Sequence, residues 1–372
     1  IFGPQGQFEI GTLSTVYTDF SSGTGIQYSS PALGSSFTSS SLTHVGYFPT
    51  RYFAQGGNSF GATGTLGTND ANGVSFETNN NTRVTLDTAG SLNIETATSI
   101  PSTPTDGVQF YATEEAGKDF LNWKGGDGVI WKFGPDQGFA KVALWSANGN
   151  GTGVFVQTLA NSESGTATTR NVAATNIFTA GRRLGYVTAS TSASVAGTRH
   201  NNTQFWAGSG TTSLPGYTFV CRFGLSSSVV TNEQVFVGLR NSAAAITGNT
   251  NPSSLTNCIY IGRDAGQTTF RIGRNDGSGT ATTIDLGASF PANTTDTDWY
   301  EVVFNVISSS VTASTCYYQV TNVSTGATAK GSFNTDLPGN STMLCPAMWI
   351  SNGSDTGVIG IDISQYSITT KY

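Results

Sequence analysis

Apolar and polar residues alternate in this chain over short runs, and turn-forming residues separate the runs. In Trp299-Tyr-Glu-Val-Val-Phe-Asn-Val306, the side chains of Tyr300, Val302, Phe304 and Val306 fall on one face at a period of two, as in a strand with one side buried. Similar runs recur from about residue 138 onward, among them Ala140–Trp145, Thr218–Phe223, Val235–Leu239, Cys258–Gly262, Tyr317–Val320, Ala347–Ile350 and Ile359–Ile368. Short strands at this spacing predict a β-sandwich or jelly roll over 138–372, with its core strands mainly in 206–372. Ala173–Leu184 also suits a helix, and the pattern alone leaves that stretch open.

The pattern is thinner toward the start. Residues 1–68 hold small apolar clusters such as Val45–Phe48 and Arg51–Phe53 but no long periodic run, and read as an attachment or shaft segment. Over 69–99 the pairs Val74/Phe76, Val84/Leu86 and Leu92/Ile94, parted by Asn-rich and Ala-Gly turns, predict a small meander with one apolar stripe. Each buried apolar side chain contributes roughly 1.5–3 kcal/mol, while ordering the backbone costs roughly 1–2 kcal/mol per residue, so the stripe needs partners. Threefold association into a fibrous trimeric shaft is one source; packing on a neighbouring domain is the other. Over 100–137, the prolines of Ile100-Pro-Ser-Thr-Pro104 mark a linker. Val108–Ala112, Phe120–Trp123 and Val129–Phe133 then predict a small hairpin unit. Its aromatic residues are expected in local or interchain packing.

Composition narrows the class. Charged residues make up 11% of the chain, Gly numbers 46, and Ser, Thr and Asn fill much of the rest, so turn and strand formers outweigh helix formers. Aromatics at 11% and a net charge of -6 over 372 residues separate the chain from disordered sequences. The expected class is all-β. With 17 basic residues and no cluster beyond Arg182-Arg183, the sequence argues against binding nucleic acid or an anionic membrane. No run has the length of a membrane-crossing helix, and the first residues lack the layout of a signal peptide. The first residue is Ile1 rather than Met, so the start is expected to be trimmed or processed. Cys221, Cys258, Cys316 and Cys345 lack metal-ligand spacing, and Cys221 falls on an apolar face, so buried free thiols are favoured over a disulfide.

Candidate chemistry is sparse. Hydrolysis of a glycosidic bond needs two carboxylates across a cleft, and the close acidic pairs are Glu114-Glu115 and Asp296/Asp298, both in turn-like contexts. His44 and His200 are the only histidines, and no G-x-S-x-G elbow is present. Asn275–Gly279 and Asp264 fall short of a calcium-loop ligand set. No catalytic residue, metal ligand or cofactor is therefore predicted. Sugar recognition suits an aromatic ring beside amides and carboxylates, since the ring covers the apolar face of a pyranose while polar groups meet its hydroxyls. His200, Gln204 and Trp206 form one such candidate group; Asp296, Asp298 and Trp299 form the other. Core packing of each tryptophan is the competing expectation.

Seven blocks, in order, carry a family resemblance: Gly165–Thr188, Phe219-Val-Cys-Arg-Phe-Gly224, Val235-Phe-Val-Gly-Leu239, Pro252–Asn257, Asn275-Asp-Gly-Ser-Gly279, Ile284–Asn293 and Asp336-Leu-Pro-Gly-Asn340. Together they resemble a C-terminal module of tail fibres and receptor-binding proteins of tailed bacteriophages and prophages, over roughly residues 108–372. The resemblance implies a homotrimeric virion protein whose tip adheres, without catalysis, to a bacterial surface receptor, a polysaccharide or another outer-membrane component and commonly a glycan. It also implies that the N-terminal part meets other tail or baseplate proteins. It supplies no named binding residues. A structural or assembly component of the virion, and a phage-derived bacterial adhesin, are the alternative functions.

Overall fold

The alternation seen in the sequence becomes strand pairing in the computed structural model. The chain divides between Gly67 and Thr68, and the architecture below belongs to the second unit. The structure describes residues 63, 66–68, 70–126, 128, 130–132, 141–147, 154–157, 161–208, 216–308 and 313–370. The segment predicted over 1–68 lies almost wholly outside the described residues.

Two small antiparallel sheets come first. β1 (Val74–Thr78), β2 (Asn81–Leu86) and β3 (Leu92–Ile94) form a meander. The register sets Val74 opposite Leu86 and Leu86 opposite Leu92, with Phe76 opposite Val84 and Val84 opposite Ile94. All of these side chains therefore share one face. Phe76, Leu86 and Leu92 on that face stay 50%, 44% and 64% exposed. β4 (Val108–Glu115), β5 (Lys118–Gly125) and β6 (Ile130–Lys132) form the second small sheet. Its β4–β5 turn seats on the larger body. Asn305 Nδ2 donates to Ala116 O at 3.0 Å, and Gly117, at φ +69°, lies so close to the Tyr317 ring that a Cβ there would meet it at 2.8 Å.

The larger body is a sandwich. In chain order its strands are β7 (Lys141–Ala147), β8 (Val154–Gln157), β9 (Asn161–Ser164), β10 (Thr166–Thr169), β11 (Leu184–Val187) and β12 (Val195–His200). β13 (Tyr217–Ser226), β14 (Gln234–Arg240), β15 (Cys258–Arg263), β16 (Arg271–Asn275) and β17 (Thr282–Asp285) follow. The last are β18 (Tyr300–Ser308), β19 (Ser314–Asn322), β20 (Thr328–Phe333), β21 (Cys345–Ser351) and β22 (Gly360–Thr370). One sheet runs β10-β11-β22-β13-β18-β19-β20, with β7 and β8 added beside β22; the other runs β17-β16-β15-β14-β21-β12-β9. Every strand pair in them is antiparallel. β22 pairs with β13 along its length. On its other side it pairs with β11 through Gly360–Ile363 and with β7 through Gln365–Thr370. The β13 register slips by one residue between Arg222 and Phe223, opposite the point where β22 changes neighbours.

Between the sheets lies one large core, to which Tyr300, Val302, Phe304 and Val306 all belong. A row of rings crosses the first sheet within it: Trp145 on Tyr366 at 5.7 Å, Tyr366 near Phe219 at 6.5 Å, and Phe219 on Phe304 at 6.3 Å. Leu184, Tyr186 and Ala196 of β11 and β12 are equally buried, so the core draws on strands before residue 206 more than the sequence pattern suggested. A smaller cluster of Phe236, Tyr260 and Trp349 stacks on the outer face of the second sheet, under Ile246 and Leu255. The stretch left open at Ala173–Leu184 contains a single helical turn, Ile177–Ala180, closed by a capping box between Asn176 and Thr179. The four cysteines are buried and free.

Candidate functional site

The sequence pointed to two groups of residues, and the structure places them at opposite ends of the sandwich. Phe205 bridges Leu344, which together with Ala207 lies near Tyr217 and Val306 at one end. Asp296 N donates to Leu225 O at the other end, eight positions along from Tyr217 on β13 and just beyond the Phe223–Tyr300 pair. His200 is 2% exposed at the end of β12. With its proton on Nδ1 it donates to Asn202 O at 2.6 Å, and Nε2 then faces the Gln204 amide at 3.4 Å. Trp206 is half-buried beside them. The His200 contacts hold the loop that follows β12.

In the second group the tryptophan is a packing residue. Trp299 is 2% exposed, its ring stacks on Phe178 at 4.7 Å, and Nε1 donates to Ile177 O and Phe178 O at 3.1 and 3.2 Å. The expectation of a ring offered to a ligand is corrected here, because both the face and the polar edge are spent on anchoring the helical turn. Asp296 accepts from Ser227 N, and Asp298 accepts from Thr294 Oγ1. Asp264 accepts from Ser253 N and Asp276 from Ser278 N, so these acids fasten turns. Among the described residues, no group of His, Cys, Asp and Glu is arranged to hold a metal ion.

A cleft of about 590 Å³ opens elsewhere, between the second small sheet and the β19–β20 edge of the sandwich, with segment 96–100 along one side. Its floor follows from strand register. Tyr111 on β4 lies opposite Asn122 on β5, and Asn122 opposite Lys132 on β6, so the three make one cross-strand row. Gln319 and Lys330, themselves a cross-strand pair, line the facing wall. Period two explains why the row is polar. Gln109, Tyr111 and Thr113 share the inward face of β4, while Val108 and Phe110 share the outward one, where they stay 52% and 57% exposed.

The floor is anchored but incompletely paired. Asn122 is 1% exposed, and its Nδ2 donates to Thr113 Oγ1 at 2.8 Å and to Phe120 O at 2.9 Å. Its Oδ1 and the hydroxyl of Tyr111 are buried without a hydrogen-bond partner among the described residues. Burial raises the Tyr111 phenol above its ordinary pKa, which keeps it a donor. Lys132 meets Glu115 at 2.5 Å, while Glu114 accepts from Gly117 N at 3.4 Å, so this acidic pair is divided between an ion pair and a turn. Sequence reading assigned these strands to packing. The available signal was the polar row Gln109, Tyr111 and Thr113, one residue out of phase with the apolar row.

No protein-family model matches the chain. No curated protein matches its sequence. Among solved structures, peanut lectin with a nine-residue peptide is similar at 15% identity and a TM-score of 0.41, covering 62% of this chain and 97% of that one. Winged bean acidic lectin complexed with methyl-α-D-galactose is similar at 12% identity and 0.39, over 62% and 98%. A protein of unknown function from Shewanella oneidensis is similar at 10% identity and 0.36, over 62% and 86%. Likenesses at these scores do not bear on ligand or activity.

Proposed function

We propose that this chain is a non-enzymatic adhesin that holds a bacterial surface glycan, carried as the receptor-binding part of a homotrimeric phage tail fibre. The observation that carries the adhesion reading is the cleft, whose floor of amide, phenol and ammonium groups stands on three paired strands with two buried polar atoms awaiting partners. Such a surface meets hydroxyls and amides from a rigid base, which favours binding without large ordering costs. The two acidic pairs noted in the sequence are spent on ion pairing and turns, which suits binding rather than hydrolysis. The fibre and phage parts of the reading rest on the ordered sequence blocks at Gly165–Asn340. The trimer is supported by the one-sided apolar face of β1–β3, which has no cover within its own sheet.

The test is an array of bacterial capsular and O-antigen polysaccharides probed with the full chain, with reducing ends assayed in parallel. Saturable binding without new reducing ends is expected. Binding to none of the polysaccharides, or sustained release of ends that a single carboxylate substitution abolishes, would overturn the proposal. The exposed meander face also favours a second reading, an assembly component of the virion, and in that case the chain oligomerises but leaves the array blank.

A further inference from the structure

We infer that the cleft recognises a 2-acetamido sugar, its acetamido group seated among Tyr111, Asn122 and Ile130; the inference rests on the glycan-adhesion reading and names the sugar class for that site. The orientation of Asn122 is fixed by its neighbours. Phe120 O can only accept, and it takes one Nδ2 hydrogen at 2.9 Å while Thr113 Oγ1 lies 2.8 Å from the same nitrogen. Oδ1 is therefore the atom left over, and it is buried without a partner among the described residues. A ligand at this point has to bring a donor. Directly across the β4–β5 ladder, the Tyr111 hydroxyl is likewise buried and unpartnered, and as a protonated phenol it donates to an incoming oxygen.

A secondary amide presents an N–H on one edge and a C=O on the other, so it satisfies both atoms at once. Its methyl group needs apolar surface. Ile130 sits two residues from Lys132 on the same face of β6 and lines the cleft at 39% exposure; Ile100 lines the side at 61%. Charge at the floor argues against an ionic ligand, because the Lys132 ammonium lies 2.5 Å from the Glu115 carboxylate. A bare hydroxyl at the sugar's second carbon would engage Asn122 but leave the isoleucines facing water. On the opposite wall, Gln319 and Lys330 are placed for the remaining hydroxyls.

The experiment titrates the full chain with methyl glycosides of gluco, galacto and manno configuration, each in three forms bearing acetamido, free amino or hydroxyl at the second carbon. At least one acetamido form is expected to bind about tenfold or more tighter than its amino and hydroxyl counterparts. Tyr111→Phe should remove most of that preference. Since the hydroxyl it deletes is buried and unpaired, its melting temperature should stay level or rise, which separates lost recognition from lost folding. Ile130→Ser should weaken the acetamido form alone. Equal binding of acetamido and hydroxyl forms, or binding indifferent to Tyr111→Phe, overturns this inference and leaves adhesion standing. Absence of binding to these sugars and to the whole polysaccharide array overturns both.

Discussion

Asp362 on β22 is fully buried, and its carboxylate gathers Arg170 Nε at 3.1 Å, Arg183 Nε at 2.9 Å and Ser226 Oγ at 2.6 Å. Asp362→Ala would strand two guanidinium groups around an empty position. A loss of about 3–5 kcal/mol, measured by denaturant unfolding, is expected from breaking a buried pair on one side. Glu233 makes a contrasting case. Burial outweighs the Arg263 guanidinium 3.5 Å away and pushes its carboxyl from 4.5 up to about 7. The folded chain therefore holds a proton that the unfolded chain has released between those values, and the stability this contributes is lost as pH rises through about 7. The melting temperature of the wild type should fall between pH 5 and 8 by more than that of Glu233→Gln; equal slopes would contradict the assignment. Neither residue is visible as special in the sequence, because an acid reads the same whether it meets water or an arginine 30 or 179 residues away. Trp299 shows the same limit, since its Asp-rich neighbourhood resembles a sugar site while its ring is a packing anchor.

Elements were more legible than side-chain roles. β19 alternates between buried and half-buried positions along its whole length, and that period belongs to the residues themselves. The meander was readable for the same reason, and its three strands do bring the whole apolar stripe to one face. Leu86→Asp places a charge in the middle of that face. It should lower the association state measured by light scattering while leaving the sandwich transition nearly unchanged, and an unaltered mass would remove this face from the interface. The β4–β5 turn tests a different contact. Gly117→Ala adds a methyl against the Tyr317 ring at positive φ and should cost about 1–3 kcal/mol, read as increased hydrogen exchange along β4 and β5. The cover over Phe236, Tyr260 and Trp349 was not legible, since Ile246 and Leu255 come from a segment with no strand or helix period.

At the scale of the molecule, all-β class and sandwich follow from recurrence of short strands, whereas the boundary of the folding unit depends on pairings that recurrence does not specify. A fragment starting at 206 lacks β7–β12, which exposes the free edges of β21 and β22 and removes Trp145, Leu184, Tyr186 and Ala196 from the core. It should show no cooperative melting transition, while a fragment starting at 138 should melt cooperatively; the reverse result would relocate the core. Phe304→Asp should unfold the fragment starting at 138, as the side chain is fully buried within the row of rings. The placement of β22 also fixes a timetable. β13 waits between β18 and an unfilled gap until the stretch from Gly360 to Thr370 has been translated and has left the ribosome. More than 130 residues separate the two partners in sequence. During synthesis the nascent chain carries the unpaired edges of β13, β11 and β7 and the apolar face of β13, and its yield in a cell should respond to chaperone supply more than its final stability would suggest.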